Sequence, residues 1–294
     1  MNMNLTYIPA GKVLVEPDTE DVSVVIQDGL SKFLLVASEN AQLYVRHHNP
    51  EALHQYRVAL RYSRALLKSN RNYIPSELFQ FLKQCCKDLT EPTGRLRDLE
   101  VFGEHLKEYT EDLPEFFRDG ARHMQSDLHW EANKYRQKIL SWFLSNGFQS
   151  LLAEFSQNIT NISITVPRDE YYQYQSNQIR KLHKKVSAMF SELDTLSVSQ
   201  LHQLRIMVKN QRYIASFFPN LSGNIDIGSH KKIQTALGLI HDYAMQRDFA
   251  IEYIEQKQQD EKNLKAIALF TGGLISYLSF LEKEKVEQIK HHGL

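Results

Sequence analysis

His54, Arg57, Arg61 and Arg64 follow one another at steps of three, four and three residues, and Lys68 stands one turn further on. The same steps recur in His202, Arg205, Lys209 and Arg212, and the offset is 148 residues for all four pairs. On a helix turning ~100° per residue, such spacing gathers each set within roughly 80° of one face. Fixed cations in a row suit a polyanion. Arginine's planar fork donates two hydrogen bonds to one phosphate and keeps its charge at any physiological pH, while lysine adds an adaptable point charge. The two histidines admit two roles: extra positive charge beside phosphate, or a neutral hydrogen-bonding group that orients an arginine.

The neighbours of each stripe are apolar on both flanks. Leu53, Leu60 and Leu67 border the first on one side, with Val58 and Ala65 on the other; Leu201, Val208 and Ala215 border the second, with Ile206 and Tyr213 opposite. An ordinary surface helix keeps charge opposite its apolar face. A stripe bordered this way is expected to face a groove, and two such ridges are expected to line one shared cavity. For one isolated copy, a solvated basic face or pairing with carboxylates would be the simpler reading. Repetition in register favours the ligand-facing one.

Stepping outward along the chain, the elements that must carry these stripes are helices. Asp21 to His47 is the first, and Asn49-Pro50-Glu51 opens the second with an N-cap and a proline at the first helical position. Prolines and periodicity predict further helices over 75–90, 94–112, 115–146, 147–157, 170–192, 198–217, 229–257 and 261–290. Val13-Leu14-Val15 is expected to be a short extended piece, and the polar break from Asn158 to Arg168, with alternating Ile162, Ile164 and Val166, a loop or short strand. No Val/Ile/Thr-rich run is long enough for a sheet, so the predicted class is all-α. The repeat also extends past the stripes: Thr93-Gly94-Arg95-Leu96-Arg97-Asp98 corresponds to Leu237-Gly238-Leu239-Ile240-His241-Asp242 at an offset of 144. Each half then holds a basic helix, an intervening helix and a Gly-xxx-Asp element, and a pseudo-twofold pair of helical bundles is expected. Asp98 and Asp242 read as partners of Arg or His, or as helix caps, rather than as metal ligands.

The chain of 294 residues carries 35 basic and 35 acidic side chains, so no overall bias toward nucleic acid or acidic membranes exists. The charges are segregated, however. Residues 44–73 hold Arg46, Arg57, Arg61, Arg64, Lys68 and Arg71 against Glu51, whereas 99–119 are dominated by acidic residues. Cys85 and Cys86, the only cysteines, are adjacent on a predicted helix and read as core residues of a reducing compartment. No signal-peptide pattern opens the sequence, and a cytoplasmic location is expected. The uncharged run Ala266–Leu281 is short for a membrane span and reads as a helix buried in a bundle, with Gly272-Gly273 admitting a close neighbour or a kink.

His-x-x-Arg-Val-x-x-Arg-x-x-Arg after Asn49-Pro50-Glu51-Ala52 resembles the first-half signature of the CHAD (conserved histidine α-helical domain) family. Leu201-His202-Gln203-Leu204-Arg205-Ile206 with Lys209, Arg212 and Tyr213 resembles its second half, and the two Gly-xxx-Asp elements resemble those that follow each. Tyr62 departs from the pattern, where a second basic residue is usual, as does His241, where a neutral or acidic one is common. The resemblance implies two pseudo-twofold-related four-helix bundles forming one helical domain over 21–290, with halves of about 21–157 and 169–290 joined by 158–168 and an N-terminal extension over 1–20. It also implies a central basic groove that binds inorganic polyphosphate without catalysis, a partner that can bring association with polyphosphate granules. No cofactor, metal or membrane partner is implied. The expected ligands are His54, Arg57, Arg61, Arg64, Lys68, His202, Arg205, Lys209 and Arg212, with Arg46, Arg97, Arg180 and Lys184 in a second tier.

Three alternatives share the basic surface. An RNA-binding protein would normally add stacking aromatics, but Tyr56 and Tyr62 point off the basic face. A phosphate-dependent scaffold would differ only in its ligand. A phosphatase would need a catalytic constellation, and neither a P-loop, His-Glu-x-x-His nor Gly-x-Ser-x-Gly occurs.

Overall fold

Local chemistry sets the helix boundaries. In the computed structural model, which describes residues 6–12, 20–111, 113–218, 221, 231–257 and 263–292, Asp21 accepts a hydrogen bond from Ser23 N and starts α1 (Val22–His47). His48 closes α1 in the left-handed conformation at φ 51°, its N–H returning to Tyr44 O. Asn49 then caps α2 (Pro50–Ser69) by accepting from Glu51 N at 2.9 Å. The remaining helices are α3 (Ser76–Thr90), α4 (Gly94–Thr110), α5 (Glu115–Phe143), α6 (Asn146–Ile159), α7 (Arg168–Ser191), α8 (Val198–Phe217), α9 (Lys231–Gln256) and α10 (Leu264–His292). The protein is all-α, and no strand occurs among the described residues. Val13-Leu14-Val15 and the first residues predicted for α9 and α10 lie outside the described residues.

The chain divides into two compact units. One comprises Met1–Arg97, Tyr135–His183 and Asn210–Ile225; the other comprises Asp98–Lys134, Lys184–Lys209 and Asp226–Leu294. In the first, α1 packs on α2, α2 on α3, α3 on α6 and α6 back on α1. Val25, Leu30, Phe33, Tyr44, Leu53, Leu60, Leu82 and Phe155 fill its core. Residues 8–10 strap across it: buried Asn40 exchanges two 2.9 Å hydrogen bonds with the Ile8 backbone, and Ala10 N donates to Gln55 Oε1. The break from 160 to 167 is a loop. Ile162 and Ile164 are buried because the loop is tied to α1, where Gln27 Nε2 donates to Ile162 O and Ser23 Oγ accepts from Ile164 N.

In the second unit, α9 packs on α10. The uncharged run predicted to be buried corresponds to only part of α10, which is long and apolar enough to cross a membrane by length and composition. Only 28% of its most apolar window is buried, so the expectation of a core helix is corrected. Ile267, Phe270, Leu274 and Leu278 face inward at helical spacing, while Leu269, Gly272, Ser276, Tyr277 and Phe280 are exposed. The close backbone approach expected at Gly272 falls elsewhere. A Cβ on Gly272 would meet nothing within 4 Å, whereas one on Gly120 of α5 would lie 2.2 Å from Ala266 O. Gly273 does admit a neighbour, the Phe117 ring, 3.1 Å from where its Cβ would be.

Candidate polyanion-binding site

The first stripe runs along α2, which is held by the buried residues on its inner face. Leu53, Leu60 and Leu67 are fully buried, and Val58 and Ala65 are half-buried. His54, Arg57 and Arg61 are half-buried; Arg64 and Lys68 are exposed. Two adjacent residues tie this helix to the end of α3. Tyr56 Oη donates to Leu89 O at 2.6 Å. Arg57 Nη1 donates to Thr93 Oγ1 at 2.8 Å and to Thr90 O at 3.3 Å, and Thr93 Oγ1 itself donates to Thr90 O. Arg57 is therefore an anchored side chain, and the guanidinium lies beside Gly94, where a Cβ would stand 3.9 Å from Nη1. Thr93 is wholly buried and belongs to the site; it opens the second repeated element, but nothing in its spacing gives the threonine a role.

Tyr62 lies off the stripe. It stacks on Phe33 at 5.1 Å and meets Tyr213 edge-on at 4.7 Å. Arg97 of the second tier joins the first stripe electrostatically. The His54 pKa is lowered by burial first, then by Arg97, Arg61 and Arg57, with Glu51 opposing. Unliganded His54 is thus held toward its neutral form.

The second stripe stands on α8. His202 and Arg212 are exposed, and Arg205 and Lys209 are half-buried. His202 lies 5.6 Å from His241, ring to ring, so His241 sits beside the stripe. Arg97 and His241 occupy matching places in the repeat, and each neighbours the histidine of its own stripe. Burial lowers the His241 pKa, Arg205, His202 and Lys209 add to the effect, and Asp242 opposes it. Arg205 lines a cavity of about 70 Å³ with Leu201, His202, Leu237, Ile240 and His241. Leu237 stands where the first copy has Thr93. Glu282 also lines the cavity and is engaged by Arg247. Arg212 lies over the Tyr213 ring.

The other second-tier residues are placed differently. Arg46 is exposed at the end of α1, over a cavity of about 310 Å³ lined by Val45, Phe143 and Phe148, in which no stripe residue takes part. Arg180 and Lys184 are exposed on α7, where His183 between them bonds Gln211, the neighbour of Arg212. Among the described residues, no carboxylate is within ion-pair distance of Arg61, Arg64, Lys68 or Arg212. Nor do any three His, Cys, Asp or Glu groups gather to hold a metal ion among them.

A family profile for the CHAD domain matches residues 29–250, well over half the chain and both stripes. The chain belongs to the CHAD family. The fold agrees. The crystal structure of the CHAD domain from the plant Ricinus communis superposes with a TM-score of 0.72, at 19% identity over 96% of each chain. PptA from Streptomyces chartreusis superposes with a TM-score of 0.58, at 13% identity over 92% of this chain and 100% of the other. At these identities the likeness concerns the CHAD fold, not the ligand. No curated protein matches this sequence.

Proposed function

We propose that this CHAD protein binds inorganic polyphosphate, without catalysis, through the two cation stripes. The observation that carries the reading is the first stripe: an anchored Arg57, a half-buried Arg61 and exposed Arg64 and Lys68 in one row, the last three without a described carboxylate partner. Phosphates spaced along a flexible chain meet such a row one after another, each taking a guanidinium fork or an ammonium. Anchoring and apolar flanks reduce the side-chain freedom lost on binding. The second stripe adds His202, Arg205, Lys209 and Arg212, with Arg97 and His241 beside the respective histidines. A cytoplasmic location, with association to polyphosphate granules, accords with this role.

Calorimetric titration with long-chain polyphosphate at two salt concentrations tests the reading, with RNA as competitor. Tight binding that weakens with salt, is lost on replacing Arg61, Arg64 and Lys68 together by Ala, and resists RNA is expected. Displacement by RNA at equal phosphate would move the assignment to nucleic acid. Absence of binding at low salt would leave the stripes structural.

A further inference from the structure

The second unit contains a pocket of different chemistry. A cavity of about 220 Å³ is lined by Tyr109, Leu113, Phe117, Phe270, Gly273, Leu274 and Tyr277. Four of these are aromatic. Tyr109 and Tyr277 meet edge to face with centroids 5.7 Å apart, and Phe117 closes onto Gly273, whose missing Cβ gives the ring room. The Tyr109 ring is preset from behind: its hydroxyl donates to Gln246 Oε1 at 3.0 Å, and the Gln246 amide nitrogen in turn bonds His105 Nδ1. Tyr277 is half exposed at 47%, so the pocket has an open side.

The surroundings are acidic. Glu108 and Asp242 act electrostatically on Tyr109, and Glu108, Asp242 and Glu284 act on Tyr243, which also feels Tyr277. Glu111 and Glu115 flank Leu113 in sequence and are exposed. Arg118 Nε donates to Leu113 O. Lys285, one residue from Glu284, is turned to Gln288. Ring faces carry the negative end of the aromatic quadrupole, and nearby carboxylates add to that field. Such walls repel a polyanion and an acidic peptide alike. They suit a cation with an apolar skin.

We propose that this aromatic pocket, formed by α4, α5 and α10, binds a methylated ammonium group. The alkyl shell fills the apolar volume, and the charge it carries lies against the aromatic lining. The test uses the full-length protein titrated by calorimetry with choline and with its neutral tert-butyl isostere, in which carbon replaces the ammonium nitrogen. Choline is expected to bind about tenfold more tightly than the isostere. Tyr277→Ala is expected to weaken choline about tenfold and Tyr277→Phe to preserve it, with helical circular dichroism unchanged in both. A trimethyl-lysine peptide as a second probe separates sources of the same head group. Tighter binding of the peptide than of choline points to a protein partner, and the reverse points to a free small molecule. Equal affinity for choline and the isostere would make the pocket a purely apolar patch and overturn the proposal. So would absence of choline binding at millimolar concentration, or indifference to Tyr277→Ala.

Discussion

At the scale of single residues, two side chains separate anchoring from ligand contact. Thr93 is buried, accepts from Arg57 and donates to Thr90 O, so Thr93→Val strips Arg57 of its better partner. A loss of about 1–3 kcal/mol in urea unfolding is expected, with polyphosphate binding weakened through a loosened Arg57. Arg57→Ala should also cost stability, which differs from an exposed ligand such as Arg64. His54 and His241 give opposite pH signatures with and without ligand. Their pKa values are lowered in the folded protein, first by burial and then by neighbouring cations. Below the ordinary histidine value of about 6.5 the unfolded chain takes up protons that the native chain refuses. Their contribution to stability is therefore complete above that value and falls as the pH drops toward the lowered native values. Polyphosphate reverses the local field and favours imidazolium, so affinity should rise across the same interval. Unfolding and titration at about pH 7.5 and about pH 5.5 should show these opposite trends, both diminished in His54→Gln/His241→Gln. Cys85 is a third residue-scale case: burial raises its thiol to about 11, and both cysteines are free and buried. Slow reaction with a thiol reagent in the native protein is expected.

At the scale of elements, what the sequence made legible was whatever one helix settles for itself. Asn49-Pro50 fixed the start of α2, and the three-four-three spacing fixed which residues share its face. Charge content misled where packing decides. The uncharged run in α10 suggested burial, yet lack of charge does not say which face a partner covers, and Leu269, Tyr277 and Phe280 remain exposed. Thr93 was equally illegible, because its role depends on the α3–α4 turn meeting an arginine 36 residues earlier. The glycines show the same division. Gly272→Ala meets open space on a helix and should stabilise by about 0.5–1 kcal/mol through propensity alone. Gly120→Ala would drive a methyl into Ala266 O and Phe270 Cβ, and a loss on the order of 1–3 kcal/mol or more is expected. Thermal unfolding of the two variants should move in opposite directions.

At the scale of the whole molecule, a net charge of zero does not prevent polyanion binding, because Coulomb interactions beyond roughly 8–10 Å are screened at physiological salt. What matters is the local row. Affinity should therefore fall with rising salt through release of counterions from the polyphosphate, as it does for single-stranded nucleic acids, at about 0.7 in log–log slope per neutralised phosphate. Removing Arg61, Arg64 and Lys68 together should reduce the slope by about two as well as weaken binding. The unliganded triple variant should keep most of its thermal stability, since Arg64 and Lys68 are exposed and neither holds a described carboxylate. Polyphosphate should raise the unfolding temperature of the parent protein, because ligand bound only by the native state adds to its stability, and should raise that of the variant much less. A variant with weakened binding but an unchanged slope would show that these cations act on the fold or on another contact. A reduced slope with preserved stability would show that they meet phosphate directly.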